Sequence, residues 1–218
     1  MDTAAAATGN VGVSRHLDFD AVVIGAGVTG LYQFYRLREL GLRVRTFEAA
    51  SGVGGTWYWN RYPGARFDSE SWTYGYAFSQ ELLDEWDWSE HFSPQPDNER
   101  YLNHVADKFD LRRDIQFNTR VTAARYREDT RSWEIVLEDG GRCTTRFLIT
   151  AIGVLSAPTM PNNIPGIASF RGQSCHTHNW PREGVDYAGK RVGGAVGQRV
   201  AKVALPEGET GLAIALFP

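Results

Sequence analysis

The sequence predicts an α/β fold: a parallel sheet that opens with one strand–helix–strand unit and carries an antiparallel β-meander before its last strand. Three observations predict it. An apolar run rich in β-branched residues, 19–24, leads straight into Gly25-Ala26-Gly27-Val28-Thr29-Gly30. A stretch with helical apolar spacing and then a second, alternating segment follow that glycine turn. Farther on, three alternating segments are separated by short polar turns at 128–131 and 139–141.

In chain order, residues 1–18 are small and polar, without a period, and are expected to be a disordered leader. The run 19–24 has the continuous apolar character of a strand buried on both faces. Leu31, Phe34, Tyr35, Leu37 and Leu40 recur with helical spacing, and Gly41 stops that helix. Residues 42–48 alternate and end on an acid, Glu48. Residues 51–75 are rich in glycine and aromatic rings with no clean period, which predicts an extended active-site loop. A helix is expected over 98–109, with Tyr101, Leu102, Val105, Ala106 and Phe109 on one stripe, then another parallel strand at 115–118. Segments 121–127, 132–138 and 142–150 form the meander, and its last strand continues to Gly153, apolar enough to rejoin the main sheet. A Pro-rich linker, 156–166, leads out.

Composition bounds the function. The 218 residues carry 23 basic and 26 acidic side chains, a net charge of −3, so no electrostatic footprint for nucleic acid is present. An apolar fraction of 42% suffices for a core, and the length fits one large domain or one and a half. No stretch approaches the roughly 18–20 apolar residues of a membrane span. The N-terminus lacks the basic and apolar regions of a signal peptide. Two cysteines, Cys143 and Cys175, make no disulfide framework, and the expected setting is cytoplasmic. Aromatic residues make up 12%, and Trp57, Trp59, Trp72 and Trp86 crowd into 57–86, so that segment must pack against something. Trp86, Trp88 and Trp133 are most simply packing residues.

The glycine turn carries the first chemistry. Gly25 permits a tight turn, Gly27 lets backbone approach a pyrophosphate, and Gly30 lets the helix pack on the strand. Backbone N–H groups and the helix dipole at 27–30 favour an anion. Glu48, 18 residues after Gly30, sits where a carboxylate accepts from ribose hydroxyls. With strand, helix, second strand and acid all in place, the unit reads as a Rossmann-like dinucleotide site, with the identity of the dinucleotide open.

The next segment narrows it. Gly54-Gly55-Thr56-Trp57 is followed by Tyr62-Pro63-Gly64 and Asp68, and later come Phe170, Gly172, His176, Trp180 and Pro181 at fixed spacing. On these two fingerprints the chain resembles the Baeyer–Villiger monooxygenases (class B flavoprotein monooxygenases), across about residues 19–192. The resemblance implies a two-dinucleotide-binding flavoprotein architecture, with the FAD-binding domain at 19–155 and the second domain incomplete. It implies FAD in the first glycine motif and NADPH as reductant. One oxygen of O2 would be inserted next to a ketone carbonyl to give an ester or lactone, so the partners are a small-molecule ketone and O2. Asp68 would be catalytic, holding an active-site arginine that comes from later sequence, and Arg66 would face the nicotinamide cofactor. Thr29, Gly55, Thr56, Trp57, Arg66, Asp68, Tyr74 and Val121 would complete the cofactor-binding set with Gly25, Gly27, Gly30 and Glu48. Phe170, Gly172, His176 and Trp180 would form a conformational linker, within 156–192, that couples NADPH binding to domain motion.

Plainer readings stand beside these. Asp68 read alone is a solvated loop acid, and His176 is a buried, hydrogen-bonded structural histidine. Cys175-His176-Thr177-His178 offers soft ligands, but no second cluster lies nearby and a zinc site takes about four. Ala188-Gly189-Lys190-Arg191-Val192 resembles the entry to a second Rossmann strand, yet the glycines at 193, 194 and 197 do not fit the spacing. Residues 193–218 are therefore expected to be an aberrant tail. The chain alone is expected not to turn over, with apolar faces of strands 20–24 and 147–152 partly uncovered. Two alternatives remain: a flavin-containing N- or S-monooxygenase, and a non-catalytic FAD-binding fragment. The Asp68 loop and Trp180-Pro181 favour the ketone enzyme.

Overall fold

The structure, a computed structural model, describes residues 16–158, 169, 171–186 and 188–189. The expected leader up to residue 15, most of the Pro-rich linker, Phe170 and the expected tail lie outside the described residues.

Six strands, β1 (Phe19–Ile24), β2 (Val44–Phe47), β3 (Ile115–Gln116), β4 (Val121–Arg127), β5 (Ser132–Leu137) and β6 (Arg142–Thr150), form one sheet in the order β3-β2-β1-β6-β5-β4. β3, β2, β1 and β6 run parallel, and β6, β5 and β4 form the predicted meander. β6 does two jobs. Its first half pairs antiparallel with β5, its second half pairs parallel with β1, and fully buried Thr145 faces both Phe19 and Trp133. Side chains alternate across β1. Ala21 and Val23 enter the core under the helices, while Val22 joins Phe47, Ile135, Leu137 and Cys143 under the meander. All three of these β1 residues are fully buried because the meander closes the second face of the strand's middle, while Ile24 at its end is half-buried, so the expectation of a partly uncovered β1 holds only at that end. The other half of that expectation agrees with the structure, since Phe147 and Ile152 are both exposed. Burial also pushes the Cys143 thiol up to about 11, which marks it as a packing residue.

Helix α1 (Val28–Glu39) buries Gly30, Leu31 and Phe34, and places Arg36 and Arg38 in the last turn, where cations complement the dipole. Gly41 ends it at φ +76°, donating to the Arg38 carbonyl. Leu40, expected on the apolar stripe, is 73% exposed, because the helix has already stopped and the chain turns away there. The loop 51–75 is less extended than expected. It contains a one-turn helix, α2 (Thr56–Trp59), and a 3-10 turn at Ser71–Tyr74. Helix α3 (Gln80–Glu85) gives no periodic signal because it is six residues long, and its start is set by Ser79, whose hydroxyl accepts from Leu82 N. Helix α4 (Gln95–Lys108) begins three residues before the predicted position, with Pro96 in the first turn. That first turn is polar yet buried: Asp97 accepts from Ser89, and Asn98 bonds Ser93 through both ends of its amide.

Most rings of the crowded segment pack into the core that also holds residues of α1 and α4, while Trp59 lines the cleft described below. Tyr35 stacks on Phe78 at 4.5 Å, and Trp88 lies 5.0 Å from buried Tyr101. Trp86 and Trp88 pack on the helical core and Trp133 on the meander core. Trp72 is the exception, at 61% exposed. Among the described residues no helix is long and apolar enough to cross a membrane.

Candidate functional site

The carboxyl ends of β1, β2 and β6 open into a cleft of 720 Å³. The chain leaves β1 to one side for β2 and returns on the other side as β6, so the cleft sits at the position where open α/β sheets take ligands. Gly25 begins the turn at φ +102°, and its N–H donates to the Phe47 carbonyl at 2.8 Å. A Cβ at Gly25 would lie 2.5 Å from the Ala151 carbonyl oxygen, and one at Gly30 would lie 1.9 Å from the Gly25 carbonyl oxygen. Gly30 therefore serves the close seating of α1 on the turn itself.

Gly27 has a second constraint that the sequence did not reveal. Its missing side chain faces Gly55, whose Cα would stand 3.2 Å from a Gly27 Cβ, and Gly55 in turn holds φ +53°. Gly54 N also donates to the Ala26 carbonyl at 3.1 Å. The two glycine segments, far apart in sequence, thus interlock backbone to backbone and line the cleft together.

Glu48 is buried at the tip of β2 and is bonded on both oxygens. One accepts from Ala26 N at 2.6 Å and the other from Ala50 N at 2.7 Å. The carboxylate thereby fixes the glycine turn while lining the cleft. Helix α1 starts at Gly27 with no side-chain cap and no acid in its first turn. Its first N–H groups have no intrahelical acceptor, and neither a side-chain cap nor an acid of the first turn meets them. An anionic ligand fits that helix end, and the close-approach glycines leave room for it.

The family description "Flavin-binding monooxygenase-like" matches residues 20–205. The chain belongs to this family. Acetone monooxygenase (methyl acetate-forming) of Gordonia sp. (strain TY-5) is 54% identical over 185 residues, covering 83% of this chain and 34% of the relative. Phenazine N-monooxygenase of Lysobacter antibioticus is 47% identical over 176 residues, covering 80% and 32%. A crystal structure of OTEMO in complex with FAD and NADP is similar at a TM-score of 0.77 and 52% identity, covering 84% of this chain and 34% of that one. The chain spans about a third of the length of the relatives it matches.

Within this flavin-binding monooxygenase-like chain, the site residues expected from sequence fall into three groups. Gly25, Gly27, Thr29, Glu48, Gly55, Thr56 and Val121 all line the cleft, with Gly30 directly beneath. Val121 opens β4 next to a register shift, a bulge of the kind that re-aims side chains beside sites.

Trp57, Arg66, Asp68 and Tyr74 lie outside the lining of this cleft. Trp57 is buried and its indole donates to the Tyr74 hydroxyl, beside Phe67. Burial pushes the Tyr74 phenol up to about 12, so it stays protonated. Arg66 pairs with Glu90 and donates to the Phe92 carbonyl at 2.9 Å, tying its loop to the segment before α4.

In the linker, His176 is buried, its Nδ1 accepts from His178 N at 3.1 Å, and its Nε2 has no partner. Trp180 is buried and Gly172 exposed. Ser156, Ala157 and Pro158 at the start of the linker line the cleft, and so do His178 and Asn179 farther on, none of them a fingerprint position. Among the described residues no group of three or more potential ligands is placed to hold a metal ion.

Proposed function

We propose that this chain supplies the FAD-binding part of a monooxygenase that draws electrons from NADPH and inserts one oxygen of O2 beside the carbonyl of a small ketone. The observation that carries the reading is the interlocked pair of glycine turns beneath an uncapped helix end, with Glu48 at the rim. The first N–H groups of α1 would hold the pyrophosphate, and Glu48 the adenosine ribose, next to Val121. FAD would supply hydride acceptance and oxygen activation. The chain's own work is to bind and orient: Thr29, Gly55 and Thr56 shape the wall, while Trp57 and Tyr74 stiffen the loop behind it. Asp68 would fix an arginine from sequence beyond this chain, and Arg66 would meet the nicotinamide cofactor. Phe170, Gly172, His176 and Trp180 would join this domain, residues 19–155, to a second one.

N-oxygenation is the second reading. The 47% identity to a phenazine N-monooxygenase favours it, because the cofactor cleft serves either oxygen transfer. A chimera tests the first reading. The 185-residue matching segment of the acetone monooxygenase would be replaced by its counterpart from this chain. The chimera is expected to retain FAD and to convert a ketone to its ester within about tenfold of the parent's rate. A folded chimera without flavin contradicts the cofactor reading; one with flavin and no ester, detected by mass spectrometry, contradicts the ketone reading.

A further inference from the structure

Residues 176–182 meet the cleft through side chains that the family fingerprint does not use. His178 stacks on Trp59 with ring centroids 5.8 Å apart and planes 13° from parallel. Four residues on, the Arg182 guanidinium lies 4.6 Å from the centroid of the Tyr58 ring. Tyr58 and Trp59 are consecutive in α2 and are themselves held. The Tyr58 hydroxyl bonds Ser51 Oγ at 2.6 Å, and Arg61 also lies over its ring. Arg61 in turn pairs with Glu99 of α4, and Gln95 donates to the Trp57 carbonyl, so α2 is braced from behind. The two rings are therefore a braced platform, and the segment that rests on it carries only a 3-10 turn, Thr177–Asn179, among its described residues. Burial, with His176 as a second cause, lowers the His178 pKa, consistent with a neutral ring in the stack. Trp59, Asn60, His178 and Asn179 all line the cleft, so the seated segment is part of its wall.

We propose that Tyr58 and Trp59 form a dock for residues 176–182, and that seating on it completes the cleft, so that seating and dinucleotide retention are coupled. His178 and Arg182 are positioning residues in this scheme. Coupling of this kind is reciprocal at equilibrium: a bound dinucleotide tightens the seat by the factor by which the seat raises dinucleotide affinity. The choice of FAD as probe rests on the proposed function; the dock itself does not.

Trypsin cleavage of the Arg182–Glu183 bond reads the seat, and flavin fluorescence recovery reads FAD dissociation. In nucleotide-free protein His178→Ala should raise the cleavage rate by about three- to tenfold, the size of one stacked ring contact. FAD should protect the bond in the parent chain, and His178→Ala should release FAD faster by a similar factor. His178→Phe, which keeps a flat ring, should restore both; a merely structural histidine would not be rescued by phenylalanine. Equal cleavage of parent and His178→Ala overturns the dock. Faster cleavage with unchanged FAD release overturns the coupling. If the parent chain itself retains no FAD, the cofactor reading fails alone, and the nucleotide-free cleavage rates still decide the dock.

Discussion

Gly30→Ala is expected to cost about 3 kcal/mol or more in stability and to abolish nucleotide binding. Its Cβ would stand 1.9 Å from the Gly25 carbonyl oxygen, a backbone atom that no rotamer change can move. Relief requires α1 to lift from the turn, which spoils the cleft and the packing of Leu31 and Phe34 beneath it. For a chain of this size that cost corresponds to a fall of roughly 6–12 °C in Tm. Gly140→Ala is the comparison. There a Cβ meets open space, and only φ +88° opposes it, so the cost should be about 1–2 kcal/mol, with nucleotide binding untouched. Thermal melting of both variants checks the difference; equal losses would mean that the close approach at Gly30 is not what the site requires.

Glu48→Ala should have the second-largest effect, and it should appear twice. Removing the carboxylate leaves the Ala26 and Ala50 N–H groups buried without acceptors, at about 1–3 kcal/mol each. The nucleotide-free protein should therefore melt earlier, before any ligand is added. FAD affinity should also fall by about tenfold or more, from the loss of charged hydrogen bonds to ribose. The two measurements separate the roles. A residue that only bound ribose would lower affinity and leave the nucleotide-free melting temperature unchanged, and that result would contradict the part played by Glu48 in holding the glycine turn.

The strand–helix–strand unit and the meander were legible because their apolar spacing is local and their turns carry glycine. Glu48 was legible as a ribose ligand from its place at a strand end. Its grip on Ala26 N was not, because that bond joins residues 22 apart that only the fold brings together. The same holds for Gly27 against Gly55: each glycine is legible in the sequence and their mutual contact is not. Helix α4 began early for a different reason. Its first turn buries Gln95, Asp97 and Asn98, and polar residues satisfied by Ser89, Ser93 and the Trp57 carbonyl leave no apolar period to read. In the linker the fingerprint drew attention to His176, whereas the ring that reaches the cleft is His178. An aromatic pair such as Tyr58-Trp59 next to a glycine turn is the available signal, and the dense aromatic stretch around it hides it.

FAD in the cleft between the two glycine turns is the expected occupancy. It is tested most directly by denaturing the purified 218-residue protein, after incubation with equal FAD and NADPH and removal of free nucleotide, and identifying what is released. Flavin absorbance and a mass for FAD are expected, present in the parent chain and lost in Gly30→Ala. Release of a nicotinamide nucleotide with no flavin would contradict it.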